Sequence, residues 1–148
     1  MTTHDVSPDD RSRLLTQAWA AAWDRGEVEV LDELLAEDYR RRSSADDEGL
    51  TREEFKASIV STRHAFPDLE TTIDDLVVQG SRAAVRWHST GTHTYPFLGV
   101  PATRRRVRVD GATFVEFDGS GRVATEWHTW DPRALLAALG IVSVGHHS

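Results

Sequence analysis

The carboxylate of Asp131 is the side chain in this sequence best suited to moving protons. It ends an aromatic segment that contains Trp127 and Trp130, and it precedes Pro132 and an apolar helical stretch. An aspartate before a first-turn proline commonly caps a helix by accepting a backbone N–H. A carboxylate that faces a pocket can instead act as a general acid or base. The sequence is consistent with a cap, a catalytic group or both.

His88 and His93 are the next candidates for catalysis, because an imidazole titrates near neutral pH. Pairing of His93 with Arg104, together with a hairpin at 118–122, would place His88 and Asp131 in one row. Their backbones would then be about 10 Å apart on strands that flank a central one. A shift of one residue in either hairpin would send one partner to the opposite face of the sheet.

Arg86 shares the face of His88 by alternation, so the two side chains are predicted to point the same way. An apolar set on the same segment, Ala83, Val85 and Trp87, supports the opposite placement, in which the apolar residues face the core and His88 faces outward. A pocket-lining face can itself be polar. Both placements of His88 stay open.

Aromatic side chains could line a pocket for a flat polycyclic ligand. Trp127 shares the face of Asp131 by alternation, and an apolar neighbour raises the pKa of a carboxyl group. Glu126 and His128 are expected to point the other way. Core packing is the alternative role for the tryptophans. The candidate substrate-binding residues are Arg86, Trp127, Trp19, Tyr95 and Phe97.

Composition limits the kinds of chemistry and partner. The chain has no cysteine, which excludes disulfides and thiolate ligands, and the spacing of His88 and His93 does not fit a metal pair. We therefore predict no metal site. A net charge of -7 argues against nucleic acid, and the arginine runs 40–42 and 104–106 are interpreted as solvated loop or strand ends.

The length of 148 residues fits one domain over 1–148, with a core at about 10–142 and short flexible termini. No segment is apolar enough to span a bilayer, and the first residues do not resemble a targeting signal. We expect a cytoplasmic protein with no membrane partner.

The elements that position these side chains are helices followed by strands. Helical spacing and capping signals predict helices from Ser7 to Gly26, from Val28 to Tyr39, from the capping box of Thr51 and Glu54 to Pro67, and from Pro132 to Leu139. A polar loop is expected over 40–49. From Leu69 onward, alternation predicts antiparallel strands with turns at 80–81, 95–103 and 118–121, and Gly111 is expected to mark a bulge or bend. This order predicts an α+β fold.

Several local strings resemble the SnoaL-like polyketide cyclases. They are Ala65-Phe66-Pro67-Asp68-Leu69, Val85-Arg86-Trp87, Gly91-Thr92-His93-Thr94, Phe97-Leu98-Gly99-Val100-Pro101, Gly121-Arg122-Val123, Glu126-Trp127, and Asp131 with the helix behind it. The resemblance covers about 14–142. It implies the cone fold shared with nuclear transport factor 2 and ketosteroid isomerase, in which a curved, mixed, mainly antiparallel sheet packs on N-terminal helices around a pocket. It also implies a homodimer through the sheet face.

In these cyclases, the aspartate at the end of the last strand acts as acid and base in an intramolecular aldol ring closure, without a metal or organic cofactor. That position is Asp131 here. The chain departs from the family at the arginine run 40–42, where a histidine is common, at Tyr95, where a glycine is common, and in the turn 101–104. These departures lie in segments expected to rim the pocket.

The resemblance and the residues together predict a cofactor-independent cyclase or isomerase for an apolar, polyketide-like small molecule of secondary metabolism. Asp131 would shuttle the proton, and His88 or His93 would donate a hydrogen bond to the developing oxyanion. One alternative is an epoxide-opening hydrolase or oxygen-ring-forming cyclase, because Arg86-x-His88 with Asp131 looks like the arrangement in limonene-epoxide hydrolases. A non-catalytic binding or accessory protein is the other, with Asp131 only capping its helix.

Overall fold

The computed structural model describes residues 8–44 and 47–140. It begins with helix α1, Pro8–Trp19, which continues as a π-helical turn, Ala20–Asp24, and a 3₁₀ turn, Val28–Val30. The remaining elements are α2 (Leu31–Leu34), β1 (Leu35–Arg42), α3 (Arg52–Ala65), β2 (Glu70–Gln79), β3 (Arg82–Thr92), β4 (Arg106–Phe117), β5 (Val123–Trp130) and α4 (Pro132–Ala138). The order of helices and strands confirms the predicted α+β class.

One curled, five-stranded sheet carries the fold, with the strand order β1-β5-β4-β3-β2. The meander from β2 to β5 is antiparallel, whereas β1 pairs with β5 in parallel. Helices α1 and α3 pack on the concave face, where Leu15 and Ile59 are fully buried with Val85 and Val115 of the sheet. The mixed, mainly antiparallel sheet packed on helices is the predicted architecture.

The helix predicted from Val28 to Tyr39 is wrong in its second half. Helix α2 ends at Leu34, and β1 takes over at Leu35 and runs through the arginine segment that was predicted to be a loop. Tyr39 and Arg41 alternate inward and are buried. Tertiary pairing with β5 therefore overrides the local helical spacing of the leucines.

The predicted helix starts at Thr51 and Asp131 are confirmed. The hydroxyl of Thr51 accepts the Glu54 N–H at 3.1 Å, and the Glu54 carboxylate accepts the Thr51 N–H at 2.9 Å. Asp131 accepts the Arg133 N–H at 3.0 Å and caps α4. These bonds satisfy N–H groups that have no partner within the helix.

The register predicted for the hairpins is wrong by one residue. His88 lies opposite Asp110 rather than Val109, and Trp130 lies opposite Gly111. In the second hairpin Phe117 pairs with Val123, but Ala124 of β5 is the extra residue of a β-bulge, and the register is shifted by one from the pair of Glu116 and Thr125 onward. His88 consequently lies on the face opposite to the core, as the apolar alternation of its strand predicted.

Gly111 does not mark a bulge, because the ladder between β3 and β4 runs through it without interruption. It lies opposite Trp87, whose indole ring rests on its backbone. A Cβ atom at this position would lie 2.6 Å from Cη2 of the ring, closer than two carbon atoms can pack. The Trp87 Nε1–H donates to the hydroxyl of Thr113 at 3.0 Å and holds the ring there. Packing, not backbone bending, requires the glycine.

No helix in the described ranges 8–44 and 47–140 is both long and apolar enough to cross a membrane.

We predict that Gly111→Ala lowers the free energy of unfolding by about 1–3 kcal/mol, because the added methyl group must displace the Trp87 ring. Chemical denaturation followed by far-UV circular dichroism would measure the change. Gly119→Ala is the matched control, since nothing lies within 4 Å of a Cβ atom placed there. Equal stability of the two variants would contradict this account of Gly111.

Candidate active site

A cavity of about 350 Å³ lies between the helices and the concave face of the sheet. Its volume falls in the range of small-molecule sites. Most of the lining is aromatic or aliphatic, and these side chains are Trp19, Trp23, Leu50, Phe55, Phe66, Leu69, Trp87, Phe97, Leu98, Val107, Val109, Trp130 and Leu135. Such a lining fits a flat, apolar ligand.

The polar part of the lining is small. It consists of the side chains of Arg41, Ser58, Ser61, Thr62, Thr71, Ser89, Thr90 and His128. No residue of the described lining is acidic. A carboxylate that serves as acid or base must therefore reach a ligand from the edge of this cavity.

Arg41 is held by a buried hydrogen-bonded group that connects β1 with β5. Its Nη1 lies 2.8 Å from Oε1 of Glu126, and the phenol of Tyr39 donates to the same carboxylate oxygen. The guanidinium carbon also lies 4.5 Å from the centre of the Phe55 ring. Burial and the negative charge of Glu126 raise the pKa of Tyr39, so its phenol stays protonated and serves as a donor.

His128 lines the cavity two residues beyond Glu126 on β5. Burial, followed by the positive charge of Arg41, lowers the pKa of His128 to about 4, and a hydrogen bond to the backbone of Arg42 acts in the opposite direction. The ring is consequently neutral at pH 7. Its Nδ1 atom is buried and has no hydrogen-bond partner among the described residues.

Asp131 does not line the cavity. It is exposed at the end of β5 and uses its carboxylate to cap α4. Its neighbours in the chain, Trp130 and Leu135, both line the cavity, so Asp131 follows directly from the cavity wall. The cap is confirmed, and the catalytic role of Asp131 stays a prediction.

His88 and Arg86 lie on the outer face of the sheet, away from the cavity. The Nδ1 atom of His88 lies 2.8 Å from the carboxylate of Asp74, which occupies a bulge in β2. Asp74, His88 and Asp110 offer ligand atoms within 4.8 Å of one another, but Arg108 already binds Asp110 at 2.9 Å. The predicted row of His88 and Asp131 on one pocket-facing surface is therefore wrong, because the register differs by one residue.

His93 is fully buried, and it is not part of the cavity lining. Its Nδ1 atom accepts the Thr103 N–H at 3.2 Å, and its ring stacks on Phe66 with the centroids 5.4 Å apart. His93 thus joins the end of β3 to the following loop. This is the structural role that a histidine at a strand end commonly has.

Only some of the predicted substrate-binding residues line the cavity. Trp19 and Phe97 line the cavity, and their role in substrate binding stays a prediction. Tyr95 is 47% exposed and stacks on His64 instead. Trp127 lies on the outer face, where its Nε1–H donates to Glu116 at 3.2 Å, so its predicted place in the pocket is wrong.

Arg41 and His128 are polar cavity residues that the sequence analysis missed. Arg41 was assigned to a solvated loop, and His128 was expected to point away from the pocket. The sequence does contain a signal, because the two-residue spacing of Tyr39 and Arg41, and of Glu126 and His128, places each pair on one face of a strand. The first pair was missed because residues 28–39 were predicted to form one helix, whereas the structure has a strand from Leu35.

We predict that the low pKa of His128 destabilises the protein in acid. Between pH 6.5 and about 4 the unfolded chain binds a proton that the folded chain does not, so the free energy of unfolding falls as the pH falls. His128→Gln should reduce this fall by on the order of 1 kcal/mol, since the residue is only partly buried. Urea denaturation at pH 7 and pH 4.5 measures it. His64→Gln, at an exposed histidine, should leave the fall unchanged, and an equal effect of both variants would refute the assignment.

Comparison with solved structures places the chain among bacterial proteins of similar size. TsrD from Streptomyces laurentii is 30% identical, with 89% of this chain and 96% of that chain covered and a TM-score of 0.79. AclR from Streptomyces galilaeus, a proposed hydroxylase, is 26% identical, with 92% and 99% covered and a TM-score of 0.80. A proposed polyketide cyclase from Acidithiobacillus ferrooxidans is 28% identical, with 88% and 94% covered and a TM-score of 0.76. Comparison with curated proteins gave no match.

A comparison with family profiles identifies the family. The profile described as SnoaL-like polyketide cyclase matches residues 13–139, which include every element from α1 to α4 apart from residues 8–12 at the start of α1. The curled sheet, the helices on its concave face and the cavity between them agree with the cone fold that the sequence resemblance implied. The protein belongs to the SnoaL-like polyketide cyclase family and has the fold of nuclear transport factor 2.

Proposed function

We propose that the protein is a cofactor-independent cyclase that closes a ring in a polyketide-like substrate by acid/base catalysis. The aromatic-lined cavity, in a member of this family, is the observation that carries the proposal. Its mostly apolar walls fit a flat, partly cyclised chain. A cavity that folds the substrate brings an enolate carbon close to a second carbonyl, and such proximity lowers the barrier to aldol closure.

Asp131 is the proposed acid and base. It is the carboxylate that follows the cavity wall at Trp130, and its cap fixes the side chain at the start of α4. A fixed carboxylate next to an apolar wall can remove a proton from the carbon beside a carbonyl and return it after ring closure. The predicted roles of His88 and His93 in catalysis have less support, because neither side chain lines the cavity.

Epoxide opening has no comparable support. The arrangement that suggested it combined Arg86, His88 and Asp131 around one pocket. Arg86 and His88 lie instead on the outer face of the sheet, with His88 bound to Asp74. The remaining alternative is a non-catalytic binding protein, which would bind a ketone but would not catalyse exchange of its hydrogens.

We expect the protein to catalyse exchange of the α-hydrogens of 2-tetralone, a bicyclic ketone, in heavy water, as NMR would show. Asp131→Asn should slow this exchange by about 10²- to 10⁴-fold, because the amide caps the helix but does not titrate. Asp118→Asn, in the exposed turn before β5, should have no effect. Exchange by Asp131→Asn at the wild-type rate would refute the acid/base role. Binding of the ketone by the wild-type protein without catalysed exchange would support a binding protein.

The predicted homodimer remains a proposal, and an apolar row on the outer face of the sheet supports it. Val77, Ala84, Phe114 and Trp127 are successive cross-strand neighbours on β2 to β5. Val77 and Phe114 are 58% and 56% exposed. A second copy that packs on this row would remove both side chains from water.

We predict that Phe114→Glu converts the dimer to a monomer, because it places a charge in the centre of the apolar row. Sedimentation velocity at micromolar concentration would measure the mass. Val60→Glu, which changes a 54% exposed valine on α3, should remain dimeric. A wild-type protein that sediments as a monomer would exclude this interface.

A further inference from the structure

We propose that Arg41 is the ligand-anchoring residue of the cavity and that its guanidinium binds an anionic oxygen of the ligand. The oxygen belongs to a carboxylate or to an enolate, the species that the proposed ring closure would form. The enolate part rests on the proposed cyclase function, whereas the recognition of an anionic oxygen by the cavity does not.

The position of Arg41 suits this role. The residue is only 6% exposed, and it forms part of the wall of the cavity. Its Nη1 donates to Glu126, while a guanidinium carries further N–H groups in a planar fork. The face of the guanidinium rests on Phe55. Contacts with Glu126 and Phe55 therefore fix the group while its other edge can meet a ligand.

The electrostatics of the lining favour an anion over a cation. Arg41 is the only side chain in the described lining that carries a charge at neutral pH, since His128 is neutral and the other polar members are hydroxyl groups. Arg41 is almost fully buried, so a charge-assisted hydrogen bond to its guanidinium is stronger there than at the surface. A catalytic cavity benefits most if this bond strengthens as negative charge develops on the substrate oxygen.

Glu126 and Tyr39 act as positioning residues. The carboxylate offsets much of the cost of burying a guanidinium, and the phenol donates a second hydrogen bond to the same carboxylate oxygen. Glu126 also weakens the field that a ligand meets, so the preference for an anion is expected to be moderate. Both residues are buried behind the cavity wall and do not line the main cavity.

The neighbouring arginines provide matched controls, because alternation sends them to the other side of β1. Arg40 is exposed. Arg42 lies over Trp127 on the outer face, with its guanidinium carbon 5.5 Å from the ring centre. Removal of a positive charge at position 40 changes the net charge as much as removal at 41, but it leaves the cavity intact.

The experiment compares two bicyclic probes of similar shape, 2-naphthoate and the neutral ketone 2-acetonaphthone. Their binding can be followed by quenching of tryptophan fluorescence, since Trp19, Trp23 and Trp87 line the cavity. Wild type should bind 2-naphthoate about tenfold more tightly than the ketone. Arg41→Met should lose this preference and still bind the ketone, whereas Arg40→Met should keep it.

A second variant separates recognition from folding, because Arg41→Met leaves the buried Glu126 without its positively charged partner. In the double variant Arg41→Met/Glu126→Gln no charge is left unpaired, and it should also lose the preference while it binds the ketone. Retention of the preference by the double variant overturns the proposal, as does a wild type that shows no preference or binds neither probe. The readout needs no turnover, so a failure here is distinct from a failure of the hydrogen-exchange test of Asp131.

Discussion

The buried ion pair of Arg41 and Glu126 is the interaction on which the arrangement of the cavity depends. It joins β1 to β5 across a parallel pairing, far apart in the sequence, and Tyr39 completes it with a second hydrogen bond. Breaking such a pair from one side leaves a buried charge without a partner, which is strongly destabilising. This cost keeps β1 in the register that brings Tyr39 and Arg41 inward. His128 lies two residues beyond Glu126 on β5, so it faces the same side and lines the cavity.

The opposite wall of the cavity depends on close packing. Trp87 crosses from β3 onto the bare backbone of Gly111 and is held by the hydroxyl of Thr113. The β3 residues that line the cavity with Trp87 are Ser89, Thr90 and Gly91, which are small and let the wall remain hollow. One wall is thus fixed by charge and the other by shape, and the helices α1 and α3 close the space between them.

The sequence predicted the fold better than the site. Capping residues and alternation are local signals, and they located α3, α4 and the antiparallel strands correctly. The strand β1 was missed because its pairing partner lies more than eighty positions away, while its leucines follow helical spacing. The prediction of the site was wrong because it used the wrong strand register. A shift of one residue placed His88 and Trp127 on the outer face. The apolar alternation of β3 indicated this for His88, whereas the β-bulge that turns Trp127 outward follows from pairing with β4 and not from a local pattern.

The contact between Trp87 and Gly111 has a consequence for how this fold can diversify. Because the indole rests directly on backbone, positions 87 and 111 form a unit that is expected to vary together among homologues. A shorter side chain at 87 would deepen the cavity as far as β4 without disturbing the helices or the ion pair. Substrate size could then change through one position of the sheet, while the strand order, the capped helix and the buried arginine stay as they are.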